Sequence, residues 1–122
     1  GETGPYIQYT HARLCSILKK YGMPVKADIR FELLQEDEAY ILIRDLGQFP
    51  SVIIKAAEFY EPSLICNYLV DVCGSLNRFY NAHRVLSDDE ELTMARILLV
   101  DATRQVIRNG LNILGMQAPE RM

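Results

Sequence analysis

Ser87-Asp88-Asp89-Glu90 stands immediately before Glu91-Leu92-Thr93-Met94-Ala95-Arg96-Ile97-Leu98-Leu99, and this stretch decides the fold. Its opening reads as a capping box. The Ser87 oxygen is placed to accept an amide proton three residues on, and Glu90 is placed to reach back. Leu92, Ala95, Leu99, Ala102, Val106 and Ile113 then recur at three-and-four spacing up to a stop at Gly115. The run from about residue 88 to 114 predicts one helix of roughly 39 Å at ~1.5 Å per residue. Gly110 interrupts its helix propensity and predicts the close approach of another backbone.

Working back from there, Glu61-Pro62-Ser63 opens a helix to about Asn81, with Ile65, Leu69, Val72, Leu76 and Phe79 as its seam. Leu33-Leu34, Ala39, Leu42-Ile43 and Leu46 predict another, stopped by Gly47. Phe49-Pro50-Ser51 restarts a third, with Val52, Ile53, Ala56, Ala57 and Tyr60 inward. The β-branched clusters at 41–43 and 52–54 raise a strand alternative, but period two is missing. At the front, Thr3 is a candidate cap and Pro5 stands near the first helical position. Ile7, His11, Leu14, Cys15 and Leu18 follow helical spacing until Gly22 and Pro24, and residues 23–30 read as a loop. The expectation is an all-α bundle of about five helices, forming a single domain over residues 1–122 with a short extended tail from Gln117 to Met122.

Composition agrees. The chain has 122 residues, 49% of them hydrophobic and 24% charged, which suits a folded domain that needs no metal or disulfide. No apolar run approaches the ~20 residues that span a bilayer, so no membrane partner is expected. A net charge of −3 excludes a uniformly basic nucleic-acid binder, so any such site must be a local patch. Arg outnumbers Lys nine to four, a bias that fits forked, planar recognition. Cys15, Cys66 and Cys73 form no CxxC pair and read as buried, reduced thiols of a cytoplasmic protein. The start, Gly1-Glu2-Thr3-Gly4-Pro5, has no signal-peptide character and no initiator Met, which reads as a piece of a longer chain.

Catalytic constellations are scarce. His11 and His83 have no second ligand at metal spacing, and no glycine-rich phosphate loop occurs, so no cofactor is expected in this segment. The acidic groups Glu36-Asp37-Glu38 and Asp88 to Glu91 read as favouring helix N-termini. Two stretches interleave aromatics with Arg: Pro5 to Arg13, and Asn77 to Arg84. Aromatic faces stack on unpaired bases and Arg pairs with phosphates, but the same residues also suit a core and a solvated edge. Arg104 and Arg108, one turn apart, extend either a basic or a solvated face. From residues alone, an RNA-binding module and a protein-interaction module with an apolar groove between the last two helices both stand.

The opening Gly1-Glu2-Thr3-Gly4-Pro5-Tyr6-Ile7-Gln8-Tyr9-Thr10-His11-Ala12-Arg13 resembles the segment of arginyl-tRNA synthetases where the catalytic core meets the C-terminal domain. Phe79-Tyr80-Asn81, Arg84-Val85-Leu86, Asn109-Gly110-Leu111 and the closing Ala118-Pro119-Glu120-Arg121-Met122 resemble that family's final portion. The resemblance implies a C-terminal anticodon-binding domain of the DALR type, with residues 1–13 at the junction and Met122 as the natural terminus. It implies a parent class I arginine–tRNA ligase that uses ATP and Mg2+ in an upstream catalytic domain, with arginine tRNAs as partners. It further implies that Tyr80 stacks on the central anticodon base, that the Met122 backbone pairs with that base, and that Tyr6 and Arg13 lie beside the 3′ side of the loop. Asn77, Arg84 and Arg121 are added as neighbours. For each, a structural reading stays open: Tyr80 in the Leu76–Phe79 seam, Arg13 paired with a carboxylate, Met122 in a frayed tail.

Overall fold

The computed structural model describes residues 2–122; Gly1, which begins the opening motif, lies outside them. Five helical segments follow in order: α1 Thr3–Tyr21, α2 Asp37–Gly47, α3 Phe49–Phe59, α4 Ser63–Ala82 and α5 Glu90–Ile113. A 3-10 turn covers Phe31–Leu33, and no strand occurs among the described residues. The all-α expectation holds. Only Gln48, itself in right-handed helical geometry, separates α2 from α3, so those two segments run on as one bent rod and the bundle is built from four.

Local chemistry sets the ends. α1 places Pro5 in its first turn, where the missing N–H costs nothing. It closes at Gly22, whose φ of 73° lets its amide reach the Leu18 carbonyl. Thr3 lies inside the helix and does not cap it. α2 starts at Asp37 and not at Leu33, because Asp37 and Glu38 favour the positive helix end. Leu33 and Leu34 fall in or beside the 3-10 turn, and Leu34 packs on the core from there. The cap of α5 is Asp89, whose carboxylate accepts from the Leu92 amide at 3.3 Å. Ser87 instead exchanges hydrogen bonds with Thr93, at 2.9 Å from its amide and 3.1 Å to its carbonyl. The box read in the sequence is therefore displaced by two residues.

α4 is the axis and touches α1, α2, α3 and α5. All five seam residues, Ile65, Leu69, Val72, Leu76 and Phe79, are buried. α5 buries a wider face than expected. Ala95 and Leu99 are inward as read, but so are Ile97, Val100, Ile107 and Leu111, while Ile113 is exposed. The cause is that α5 lies between α1 on one side and α2 and α4 on the other, so two stripes are covered. A Cβ on Gly110 would stand 2.7 Å from Leu69 Cδ2; the close approach is to a side chain and not to another backbone. α3 buries only Ala56. Ala57 and Tyr60, expected inward, face solvent, and Tyr60 at 92% exposure ends the helix with a φ of 53°.

The tail is docked. Met116 lies over Gly4, Gln8 Nε2 donates to the Gln117 carbonyl at 2.9 Å, and His11 Nδ1 donates to the Pro119 carbonyl at 2.7 Å. His11 is 1% exposed. Burial, helped by Arg104 and Arg108, holds its imidazole below the usual range, against the Pro119 hydrogen bond that raises it. Above about pH 6.5 the ring is neutral folded or unfolded. As pH falls through that value the unfolded chain takes the proton first, so stability is lost on the acid side. Urea midpoints should fall between pH 7.5 and 5.5, and His11→Asn should flatten that fall. An unchanged fall in the variant would show that His11 is not its source.

The cysteines are only partly as read. Cys73 is buried, and burial pushes its thiol up to about 11. Cys15 and Cys66 are half-exposed.

Candidate nucleic-acid interface

α1 and α4 pack side by side, and their outward edges carry the two Arg-and-aromatic stretches. On α1, Tyr6, Arg13, Ile17 and Lys20 fall close to one stripe at helical spacing. On α4, Asn77 and Tyr80 face it. The contacts form a continuous row. Tyr6 Oη accepts from Asn77 Nδ2 at 3.1 Å, and Asn77 Oδ1 accepts from Arg13 Nη1 at 3.1 Å. The Arg13 guanidinium then lies 4.4 Å from the centroid of the Tyr80 ring. Such a cation–π contact contributes about 0.5–1 kcal/mol at an exposed site and fixes the arginine's plane. Among the described residues Arg13 has no carboxylate partner, and Tyr80 is half-buried against the core edge with its face stacked on Arg13.

Tyr80 also borders a cavity of about 620 Å³ that Lys20, Asn81, His83 and Arg84 line from the polar side and Ile17 and Leu86 from the apolar side. Among the described residues no carboxylate contributes to its wall. In a chain of negative net charge, this is a local basic pocket with an aromatic edge. It is the arrangement that suits a base and its phosphate.

Behind the pocket lies a network that the sequence reading missed. Arg96 of α5 is 8% exposed; its Nη1 donates to the Arg84 carbonyl at 2.6 Å and its Nη2 to Glu36 Oε1 at 2.5 Å. His83 bonds Glu38 at 2.6 Å and stands 3.7 Å from Glu36. Burial pushes Glu36 up, but Arg96, a backbone amide and His83 outweigh it and hold the carboxyl below its usual range. Glu36 and Glu38 thus do more than favour a helix end: they clamp the 83–86 loop. Arg96 was legible in principle, as a charge on the buried period Thr93, Arg96, Val100, Thr103, Ile107.

The remaining candidates lie on the other flank of α1. Arg121 lines a second cavity of about 560 Å³ with Cys15, Lys19, Arg104 and Glu120. Met122 is 60% exposed. The tail climbs α1 from Gln8 to His11 and on to Cys15 and Lys19, so it ends beside the last turns of α1. Lys19 lines the tail cavity and Lys20 the Tyr80 cavity, so the two sites flank the same end of one helix and share no wall residue. Arg104 is held by Asp101 at 2.9 Å, while Arg108 is exposed. The apolar groove expected between the last two helices is filled where Leu69 meets Gly110. An open apolar cavity of about 350 Å³ lies instead against α3, lined by Ile53, Tyr60 and Ile113 among others.

An all-α bundle with a basic, aromatic-edged pocket between two helices is a binding domain in form. The DALR anticodon binding domain family matches residues 7–122, and the chain belongs to that family. It is 44% identical over 122 residues to an arginine–tRNA ligase of Alkaliphilus metalliredigens, covering 100% of this chain and 22% of that protein. A Clostridioides difficile arginine–tRNA ligase is 40% identical with the same coverage. Among solved structures, Thermus thermophilus arginyl-tRNA synthetase superposes with a TM-score of 0.85 at 38% identity, over 100% of this chain and 21% of that one. The Plasmodium falciparum arginyl-tRNA synthetase gives 0.85 at 27%, over 100% and 22%. The chain thus spans about a fifth of the length of the relatives it matches.

Proposed function

We propose that this chain recognises the anticodon stem and loop of arginine tRNAs, as the C-terminal domain of a cytoplasmic arginine–tRNA ligase with its catalytic domain upstream. The observation that carries this reading is the Tyr6–Asn77–Arg13–Tyr80 row, which leads into a cavity bordered by Arg84 and Lys20. Arg13 already covers a Tyr80 face, so a base entering there stacks on the Arg13–Tyr80 pair or displaces the guanidinium towards a phosphate. Either way the aromatic face is tolerant of base identity. Choice of base then falls to edge contacts, for which the Met122 backbone, across the last turns of α1 from the Tyr80 cavity, offers an amide and a carbonyl to a cytosine edge. Tyr6 and Arg121 border the strand on either side.

ATP and Mg2+ belong with the remainder of the parent ligase. The domain contributes orientation, so that the acceptor end of the tRNA meets the activated amino acid in register. No described helix is long and apolar enough to cross a membrane.

Salt titration is the direct test. Binding of an arginine-tRNA anticodon hairpin should weaken steeply with salt, by about 0.7 to 0.9 in log–log slope per phosphate contacted. Affinity that is flat with salt would point to the apolar cavity on α3 and away from RNA.

A further inference from the structure

A fourth cavity, of about 550 Å³, opens beside Tyr6 between α1, α2 and α4. Arg44, Asp45, Asp71, Ser75 and Arg78 form its polar wall. Of the row described above, Tyr6 alone reaches it. Asp45 is already engaged: it accepts from the Ser75 hydroxyl at 2.5 Å and pairs with Arg44 at 3.2 Å, with its side chain only 13% exposed. Arg78 is different. Its one polar contact among the described residues is to the neutral Ser75 hydroxyl, at 3.2 Å, and the residue is exposed. Its guanidinium lies over Gly74, 3.5 Å from where a Cβ would stand, so the floor of the cavity there is bare backbone.

We infer that Arg78, supported by Arg44, grips a backbone phosphate of the same RNA strand that enters the Tyr80 cavity. This rests on the RNA-binding reading. Arg78 and Tyr80 stand two positions apart on α4, ~3 Å along its axis and about 200° around it, so the strand crosses the exposed face of α4 between them. Tyr6 belongs to the row and also lines this cavity, so a strand crossing α4 beside it passes from one to the other. A guanidinium with free forked donors suits a phosphate better than a lysine does. The exposed carboxylate of Asp71 on the same wall opposes the phosphate and sets the contact's sign: removing that charge should help binding.

The experiment is binding of the anticodon hairpin to the full chain and to Arg78→Gln, Asp71→Asn and Tyr80→Ala across a salt series. Arg78→Gln should weaken binding about three- to tenfold for every loop sequence and lower the salt slope by about 0.7 to 0.9. Asp71→Asn should tighten binding about two- to threefold, which a purely structural role would not do. Inorganic phosphate at matched ionic strength should not displace the hairpin. Displacement down to the Arg78→Gln level would mark a free-phosphate site and overturn the assignment. If Tyr80→Ala weakens binding while Arg78→Gln changes neither affinity nor slope, this inference fails and the RNA reading stands. If the unaltered chain binds no hairpin, both fail.

Discussion

Replacing Arg96 by Ala should cost about 2–4 kcal/mol of folding stability. Breaking one partner of a buried ion pair typically costs about 3–5 kcal/mol, because the other charge is left without compensation. The lower figure applies here because the Glu36 side chain keeps 20% of its exposure and regains some water. The Arg84 carbonyl also loses its donor, so the loop that walls the Tyr80 cavity is released. Urea denaturation measures the first effect. Hydrogen exchange at residues 83–86 measures the second. The double replacement Arg96→Met with Glu36→Leu should be more stable than Arg96→Ala by 1 kcal/mol or more, since it leaves no charge stranded. A single variant within about 0.5 kcal/mol of the unaltered chain would mean that the network holds nothing.

Tyr80→Ala should weaken hairpin binding by about 1–3 kcal/mol, roughly 5- to 150-fold, whatever base stands in the loop. It removes the stacking face and the platform that orients Arg13. Tyr80→Phe keeps the ring and should stay within about twofold. Arg13→Gln should weaken binding less than Tyr80→Ala but lower the salt slope, because it removes a phosphate partner and leaves the ring. Fluorescence anisotropy on these variants, each checked for unchanged urea midpoint, separates stacking from charge. Equal losses in Tyr80→Phe and Tyr80→Ala would place the effect on the hydroxyl and not on the ring.

Periodicity made the long helices legible because each turns a clear apolar stripe to the core. α4 shows this best: every seam residue read from spacing is buried. α3 shows the limit. Its apolar residues follow helical spacing, yet all but Ala56 remain at least partly exposed, since periodicity reports an amphipathic face and not what covers it. The cap of α5 moved from Ser87 to Asp89 because both carry a capping oxygen, and Thr93 competes for Ser87. Within the candidate interface, the residue types of Tyr6, Arg13, Asn77 and Tyr80 were visible, and the fold places them in one row. Their partners were not visible. That Arg13 meets Asn77, 64 positions away, and that Arg96 reaches Glu36 across 60, are consequences of helix packing with no local signature.

The central claim is that this surface reads the middle base of the arginine anticodon. The measurement is binding of two hairpins that differ only in that base, cytosine against uracil, to the intact chain and to a chain lacking Met122. The exocyclic amine of cytosine can donate to a carbonyl or carboxylate, whereas uracil presents an acceptor there and sets like partners face to face. The intact chain should prefer cytosine by about tenfold or more, a difference of ~1.4 kcal/mol. Deleting Met122 should erase most of that preference while leaving the stacking affinity at Tyr80 in place. Equal affinity of the intact chain for both hairpins would contradict base reading at this surface. A cytosine preference that survives the deletion would remove Met122 from the site.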